Sequence, residues 1–255
     1  MGSSDRLDDL LAPLRSDPGA TGIFSDFDGT LAQIVDDPAT SRALDGAVDV
    51  LADLARRYRR VGVISGRPGS FLAHQLGGRG LLLSGLYGLE TVDDHGVHAT
   101  EEAEGWRDAI EEVVSRAEAE LGRGADVERK GLSITIHYRN DPSRQGDVEA
   151  WTAEAAESSG LVVHPARMSV ELRPPLDSGK GMVLAGAAAG LRAACFLGDD
   201  RGDLDAFGAL DRLAAGGASV VRVAVTSPEA PPELLERADL VVEGPEGALE
   251  VLRAL

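Results

Sequence analysis

Two separated stretches of the chain alternate short apolar runs with amphipathic segments, and this pattern limits the possible folds more than any other feature. The first stretch covers about residues 22–83, and the second runs from about residue 181 to the end of the chain. Such alternation is typical of a parallel sheet whose faces are covered by helices. The predicted strands are residues 22–25, 61–64, 81–83, 194–197 and 220–225, and the predicted helices are residues 45–58, 203–213, a segment from about 181 and the chain end. We therefore predict an α/β fold with a doubly wound parallel sheet.

The residues between these stretches follow a different pattern. Apolar side chains recur at every second position from Leu132 to Tyr138, which indicates a half-exposed strand. A hairpin (90–100), two helices (106–121 and 144–157) and two more strands (161–163 and 169–172) are predicted around it. We predict that residues 90–172 form an inserted α+β cap domain, and that residues 1–89 and 173–255 form the core domain.

Composition and charge exclude several classes of protein. Of 255 residues, 43% are hydrophobic and 27% charged, as in ordinary globular domains. The 25 basic and 43 acidic side chains give a net charge of −18, and such a surface repels nucleic acid and anionic membranes. Cys195 is the only cysteine, which excludes an internal disulfide. With no recognisable signal peptide or membrane span, we expect a cytoplasmic protein. Its oligomeric state stays open, with a monomer as one option.

The segment Ser25-Asp26-Phe27-Asp28-Gly29-Thr30 follows the first predicted strand. Open α/β sheets bind ligands at the carboxyl ends of their strands, so both carboxylates are expected at such a site. A carboxylate can attack phosphorus, and a second one can serve the leaving group and then the water. A solvated Asp-Gly turn is the alternative interpretation, and this motif alone does not decide between them.

Two further motifs are suited to an anion. Ser65-Gly66-Arg67 follows another predicted strand, where a hydroxyl, backbone amides and a guanidinium can hold phosphoryl oxygens. Lys180-Gly181 opens a predicted helix, whose N-terminal amides also favour an anion. Each motif is weak evidence by itself, because a solvated loop has the same residue types.

The last motif is a second acidic cluster. Asp199, Asp200 and Asp203 follow the predicted strand 194–197. Carboxylate oxygens are ligands that Mg²⁺ prefers, and two acidic clusters at neighbouring strand ends repel each other unless a cation lies between them. One member could instead cap the helix that follows.

In this order and spacing, the four motifs resemble those of the haloacid dehalogenase-like phosphatases, and the resemblance covers the whole chain. Finer features are similar to the trehalose-6-phosphate phosphatases within that superfamily. These features are Ile64-Ser65-Gly66-Arg67, Gly85-Leu86-Tyr87-Gly88-Leu89-Glu90, Glu128-Arg129-Lys130-Gly131, His137-Tyr138-Arg139 and Val170-Glu171-Leu172-Arg173-Pro174. The resemblance implies a Rossmann-like catalytic core with an inserted cap that sets substrate specificity.

The resemblance also implies a role for each candidate residue. Asp26 would be the nucleophile and a magnesium ligand, and Asp28 the acid/base, with its backbone carbonyl on the metal. Asp199 would be the other carboxylate ligand, supported by Asp200 and Asp203. The implied phosphate-binding residues are Ser65, Gly66, Arg67 and Lys180, and the implied sugar-binding residues are Glu128, Lys130 and Glu171.

The implied function is Mg²⁺-dependent hydrolysis of trehalose 6-phosphate through an aspartyl phosphate, in trehalose biosynthesis, with a small-molecule sugar phosphate as substrate. Gly202 and Leu204 stand where the family usually has Thr and Glu. A phosphatase for sucrose 6-phosphate or a glycosylglycerate phosphate is the nearest alternative. A signalling receiver module is disfavoured by the length of the chain and by the first-strand position of Asp26. A catalytically silent sugar-binding protein is disfavoured by the intact Asp26 and Asp28 pair.

Overall fold

The computed structural model describes residues 3–35, 37–78, 80–166, 168–227 and 230–255. The helices are α1 (Ser3–Ser16), α2 (Ala47–Arg57), α3 (Gly69–Leu76), α4 (Glu101–Glu104), α5 (Arg107–Glu120), α6 (Gln145–Ser159), α7 (Lys180–Ala187), α8 (Asp203–Ala215), α9 (Pro232–Arg237) and α10 (Gly244–Ala254). The strands are β1 (Thr21–Ser25), β2 (Arg60–Ile64), β3 (Leu82–Gly85), β4 (Glu90–Asp93), β5 (Gly96–Ala99), β6 (Asp126–Arg129), β7 (Ile134–His137), β8 (Val162–Ala166), β9 (Ser169–Arg173), β10 (Ala193–Gly198), β11 (Ser219–Thr226) and β12 (Leu240–Glu243).

The chain divides into two compact units, which we name the core unit (Met1–His98 with Ser178–Leu255) and the cap unit (Ala99–Asp177). The core unit contains an eight-stranded sheet in the order β12-β11-β10-β1-β2-β3-β4-β5. The pairs from β12 to β3 are parallel, and β4 joins β3 antiparallel. This sheet and its helices confirm the predicted α/β class with a parallel-dominated sheet.

Strands β1 and β10, at the centre of the sheet, are buried at every position because both faces of the sheet are covered. Ile23 and Cys195 belong to one apolar cluster, while their neighbours Phe24 and Phe196 belong to another. Successive side chains of a strand point to opposite faces, so the two clusters lie on opposite sides of the sheet. A strand buried on both faces is a continuous apolar run, which is why these strands could be predicted.

The hairpin of β4 and β5 belongs to the core sheet, not to the cap unit. Glu90 pairs with Gly85 and Val92 with Leu83, so β4 extends the sheet beyond β3. The units accordingly divide after His98 and after Asp177, whereas the sequence placed the boundaries before residue 90 and after residue 172. A hairpin predicted from sequence does not show which of two sheets its strands join.

The cap unit has a four-stranded antiparallel sheet in the order β6-β7-β9-β8. On one face, Ile134 pairs with Leu172 and Ile136 with Val170, and all four are buried. Helices α5 and α6 contact this sheet and bury apolar side chains of their own. The opposite face is polar. Across the described residues of both units, no helix has the length and apolar character needed to cross a bilayer.

Candidate functional site

Two aspartates lie side by side at the carboxyl edge of the core sheet. Asp26 directly follows β1, and Asp199 directly follows β10, the neighbouring parallel strand. The Asp26 amide donates to the Leu197 carbonyl at 2.9 Å, so the sheet ladder holds the backbone as far as Asp26. Parallel pairing therefore brings together two carboxylates that are far apart in sequence.

A third aspartate completes a buried acidic cluster. Carboxylate oxygens of Asp26, Asp199 and Asp203 lie within 4.8 Å of one another, and the three residues are buried. Asp203 is the first residue of α8, and its Oδ2 accepts the backbone amides of Asp199 at 2.8 Å and Asp200 at 2.9 Å. Asp203 thereby fixes the loop that carries Asp199.

Lys180 brings a buried positive charge to this cluster. Its Nζ lies 2.6 Å from Asp203 Oδ1, 2.9 Å from Asp26 Oδ2 and 3.5 Å from Asp200 Oδ1. The Lys180 side chain is 2% exposed, and the residue begins α7. Burial alone would lower the pKa of Lys180, but the three surrounding carboxylates raise it well above its ordinary value. The ammonium group is therefore charged at neutral pH.

One lysine does not neutralise the whole cluster. Burial raises the pKa of Asp26 to about 7, with Lys180 opposing the shift and the other aspartates adding to it. Burial and the nearby Asp203 and Asp200 likewise raise the pKa of Asp199 to about 8. Excess negative charge in a desolvated site has this effect on a carboxyl group, and a bound cation reverses it.

The turn after β1 brings the backbone close to the acidic cluster. Gly29 has a φ of 73°, in the left-handed region that favours glycine. A Cβ at Gly29 would also overlap the Asp199 carboxylate. Thr30, in the same turn, donates its hydroxyl to Asp199 Oδ1 at 3.4 Å. The glycine of the Asp-Gly-Thr motif is therefore required by the site as well as by the turn.

Arg67 joins Asp28 to the turn that contains the candidates Ser65 and Gly66. The carboxylate of Asp28 is not part of the acidic cluster but pairs with Arg67, and it also accepts the Ser41 hydroxyl at 3.0 Å. Ser65 is 2% exposed, and its Oγ accepts the Arg67 amide at 3.2 Å. A Cβ at Gly66 would overlap the ring of Tyr87, so this turn is tightly packed.

Sequence reasoning missed two hydroxyl residues of the core site. Thr30 bonds to Asp199 and Ser41 bonds to Asp28. Thr30 is part of the first motif, and that position was a usable signal. Ser41 is in a loop with no motif of its own, and nothing in the sequence distinguished it. Asp200 Oδ1 accepts the Asp203 amide at 3.2 Å, but the N-cap residue of α8 is Gly202, so no aspartate side chain caps this helix as one sequence interpretation allowed.

The three predicted sugar-binding residues lie together at the polar face of the cap sheet. Glu128, Thr135, Glu171 and His164 are direct cross-strand partners and form one row across the four strands. Lys130 lies just after β6, with its Nζ 3.9 Å from Glu128 Oε2 and 3.6 Å from Glu171 Oε1. The expected grouping of Glu128, Lys130 and Glu171 is thus present within the cap unit.

Glu171 is the most constrained member of this row. It is 3% exposed, accepts the Ser133 hydroxyl at 2.8 Å and pairs with Arg173. Burial alone would raise the pKa of Glu171, but the nearby Lys130 and Arg173 charges and the hydrogen bonds hold it below its ordinary value. Glu171 is therefore a charged carboxylate at neutral pH.

Thr135, in the middle of the row, was not singled out from the sequence. The residue is 3% exposed, and its Oγ1 has no hydrogen-bond partner among the described residues. A buried hydroxyl without a partner is uncommon in folded proteins, because its desolvation is not compensated. On the polar face, a hydroxyl without a hydrogen-bond partner among the described residues thus lies between Glu128 and Glu171.

Several solved structures have the same fold as this chain. A trehalose-6-phosphate phosphatase related protein matches with a TM-score of 0.78 and 21% identity, covering 91% of this chain and 96% of that one. The C-terminal domain of the Candida albicans trehalose-6-phosphate phosphatase matches with a TM-score of 0.75 and 22% identity, covering 97% and 95% of the two chains. A haloacid dehalogenase-like hydrolase from Bacteroides thetaiotaomicron matches at 0.58 and 17% identity, covering 92% and 99%. The fold is that of the haloacid dehalogenase-like hydrolases.

The family follows from sequence comparison. The model of the trehalose-phosphatase family matches residues 24–235, so the chain belongs to that family. A trehalose-phosphate phosphatase of Mycobacterium avium is 37% identical over 199 residues, covering 74% of this chain and 51% of the relative. One of Mycobacterium marinum is 36% identical over 219 residues, covering 80% and 56%. The chain spans about half the length of these curated relatives.

Proposed function

We propose that this chain is a Mg²⁺-dependent phosphatase that hydrolyses trehalose 6-phosphate to trehalose and phosphate by way of a phosphorylated Asp26. The observation that carries the proposal is the buried contact between Asp26, at the end of β1, and Lys180, at 2.9 Å. The carboxylates of Asp199 and Asp203 lie beside this contact. Membership of the trehalose-phosphatase family supports the choice of substrate.

The donor set fits a hard divalent cation. Asp26 and Asp199 would supply carboxylate oxygens, the backbone carbonyl of Asp28 a third ligand, and Asp200 and Asp203 would support the site. Mg²⁺ prefers a few such oxygens together with water and phosphate. The raised pKa values of Asp26 and Asp199 indicate a site with uncompensated negative charge. When bound, Mg²⁺ would neutralise charge on the phosphoryl group and on the carboxylates.

In the first half-reaction, a carboxylate oxygen of Asp26 attacks phosphorus and the bond from phosphorus to the sugar oxygen breaks. Lys180 and the Ser65 hydroxyl hold phosphoryl oxygens, and Asp28 gives its proton to the departing sugar oxygen. In the second half-reaction, Asp28 accepts a proton from water as the water oxygen attacks phosphorus. The bond from phosphorus to Asp26 then breaks, which restores the carboxylate and releases phosphate.

The two units would divide these tasks. The core unit contains the residues proposed for phosphoryl transfer, and the polar face of the cap sheet contains those proposed to bind the sugar. Hydrogen bonds from fixed polar groups are the usual means of recognising hydroxyls. Buried Glu171 and the partnerless Thr135 hydroxyl support this role, because a sugar hydroxyl would provide Thr135 with a partner.

A panel of phosphate esters tests the substrate directly. Phosphate release would be measured for trehalose 6-phosphate, sucrose 6-phosphate, a glucosylglycerate phosphate and an aryl phosphate, each with Mg²⁺ and with a chelator. We expect the highest kcat/KM for trehalose 6-phosphate and loss of activity with the chelator. A higher kcat/KM for another glycoside phosphate would favour the sibling phosphatases, and full activity in the chelator would contradict the metal assignment.

Variants of the cap row test the division of tasks. Glu128→Ala and Glu171→Ala should each lower kcat/KM for trehalose 6-phosphate ~10–100-fold, because each removes a charged hydrogen bond of roughly 1–3 kcal/mol. The aryl phosphate, which lacks the sugar, should be hydrolysed almost as before. Equal losses on both substrates would indicate a folding defect instead, and no loss on either would contradict the role of the row.

Thr135→Val is the sharper variant, because it removes the hydroxyl and keeps the shape. We expect a ~2–10-fold loss of kcat/KM for trehalose 6-phosphate, since a neutral hydrogen bond contributes about 0.5–1.5 kcal/mol, with no loss of stability. Thr152→Val is the matched control: Thr152 is also buried in the cap unit, but its hydroxyl donates to the Val148 carbonyl of its own helix at 2.8 Å. Unchanged sugar-phosphate kinetics in Thr135→Val would remove Thr135 from the proposed site.

We further propose that the chain acts in the cytoplasm on a small-molecule substrate. The net charge of −18 disfavours nucleic acid and membrane partners, and the one cysteine, Cys195, is buried and free, in keeping with a reducing compartment. Fractionation of source cells, with the activity followed in each fraction, would test this location.

A further inference from the structure

Arg67 binds Asp28 through both ends of its guanidinium group. Arg67 Nε donates to Asp28 Oδ2 at 2.6 Å, and Nη2 donates to Oδ1 at 2.7 Å. The Arg67 side chain is 12% exposed and that of Asp28 is 35% exposed. A two-pronged contact fixes the plane of a carboxylate as well as its distance, which a single hydrogen bond does not.

Arg67 is itself held in place from other directions. Its Nη1 donates to the Pro38 carbonyl at 2.9 Å, so each nitrogen of the guanidinium group has a partner. The guanidinium lies over the Phe71 ring, 4.6 Å from its centroid. Phe71 in turn packs edge-on against Phe27, the residue between Asp26 and Asp28, with ring centroids 5.4 Å apart. A chain of contacts through Arg67, Phe71 and Phe27 therefore connects the Asp28 carboxylate with the loop that carries Asp26.

Ser41 holds the same carboxylate from another loop. Its hydroxyl donates to Asp28 Oδ1 at 3.0 Å, and Ser41 is fully buried. Asp28 Oδ1 thus accepts from both Ser41 and Arg67, while Oδ2 accepts from Arg67. Three donors from two separate segments define one orientation for the side chain.

We propose that Arg67 is a positioning residue for Asp28, and not a ligand of the phosphoryl group as its place in the Ser65-Gly66-Arg67 motif suggests. This inference rests on the proposed function, in which Asp28 transfers a proton in both half-reactions. Proton transfer requires the carboxyl group to lie within hydrogen-bond reach of the sugar oxygen and later of water. Because the Asp28 carboxyl group is already held in one orientation, it loses little conformational entropy when the reaction begins.

The two roles predict different kinetics for Arg67→Lys. A lysine keeps the positive charge but cannot make the two-pronged contact. If Arg67 positions Asp28, kcat for trehalose 6-phosphate falls ~10–100-fold, while KM and the inhibition constant of inorganic phosphate change little. The aryl phosphate, whose leaving group needs little protonation, loses less in single-turnover phosphorylation. If Arg67 binds phosphate, both substrates lose similarly and the inhibition constant rises.

A double-mutant cycle makes the assignment specific. With Asp28→Asn as the second change, Arg67→Lys should have little further effect, because the carboxylate that it positions is already gone. Ser41→Ala, a smaller change at the same carboxylate, should reproduce the fall in kcat more weakly. Arg107→Lys is the matched control, since Arg107 makes a two-pronged contact with Glu104 on the exposed surface of the cap unit, at 2.7 Å for each bond. It should leave the kinetics unchanged.

The outcomes separate this inference from the function on which it rests. A wild-type protein without phosphatase activity overturns both. An active wild type in which Arg67→Lys raises the inhibition constant of phosphate, or acts as strongly with Asp28→Asn as without it, overturns the positioning role alone. If thermal unfolding shows that Arg67→Lys is not folded, Ser41→Ala decides: loss of kcat at constant KM supports positioning, and unchanged kcat contradicts it.

Discussion

Burial and neighbouring charges together set the pKa of Asp26. The residue is 4% exposed, with Lys180 Nζ at 2.9 Å and the carboxylates of Asp199 and Asp203 close by. Lys180 favours the ionised form of Asp26, whereas burial and the other aspartates favour the protonated form and raise its pKa to about 7. In the proposed function, a bound cation would favour the ionised form of this buried carboxylate.

The role of Asp28 can be tested by the choice of leaving group. Asp28→Asn removes the proposed proton donor, a loss that typically slows a reaction ~10²–10⁴-fold. In single-turnover phosphorylation we expect the full loss with trehalose 6-phosphate and a smaller one with an aryl phosphate, since the aryl oxygen leaves without much protonation. Equal losses on the two substrates would show that Asp28 is not the leaving-group acid.

At the scale of secondary structure, the sequence predicted strands β1, β2, β3, β10 and β11 of the core, but neither β12 nor the first helix. Strands β1, β2 and β10 are short apolar runs because the sheet is covered on both sides. Helix α1 has leucines at helical spacing and Pro13 within it, and the only prediction for this segment is that it is not a signal peptide. Leu11 and Leu14 are fully buried in the core.

The contribution of α1 to stability follows from this burial. Leu11→Ala should reduce the free energy of unfolding by about 2–5 kcal/mol, because it removes buried apolar atoms and leaves a cavity, while alanine preserves the helix. Asp9→Ala, at an exposed position of the same helix, should change it by less than about 0.5 kcal/mol. Denaturant unfolding measures both, and equal effects would contradict the packing of α1 on the core.

Strand β9 should make the stability of the cap unit depend on pH through Glu171. The pKa of Glu171 is lower in the folded protein than its ordinary value of 4.5, so the unfolded chain binds the proton more tightly. The stabilisation is therefore present above pH 4.5 and is lost as pH falls through the lower, folded-state pKa. The free energy of unfolding of the wild type should exceed that of Glu171→Gln by about 1–3 kcal/mol at pH 7, and this difference should shrink below pH 4.5.

Exposed Glu112→Gln, on α5 of the same unit, serves as the control and should match wild type at each pH. Chemical unfolding followed at several pH values gives the comparison. A difference between wild type and Glu171→Gln that grows as pH falls would contradict the sign of the pKa shift.

At the scale of the whole molecule, the sequence indicated which residues gather but not how they pair. Parallel strands deliver their C-terminal residues to one edge, so Asp26 and Asp199 could be expected together without a structure. The contact of Arg67 with Asp28 could not, because it depends on the paths of two loops between strands and helices. The unpaired hydroxyl of Thr135 was equally invisible, since a threonine in a strand is an ordinary residue.

The central claim is that Asp26 carries the phosphoryl group between the two half-reactions. The most direct measurement is to mix enzyme with trehalose 6-phosphate and Mg²⁺, quench with acid within one turnover, and locate the phosphoryl group by peptide mass spectrometry. We expect it on Asp26, with none in Asp26→Asn and an unchanged signal in the exposed control Asp49→Asn. Full turnover without a phosphorylated peptide, or a phosphoryl group on Asp199 or Asp203 instead, would contradict the account.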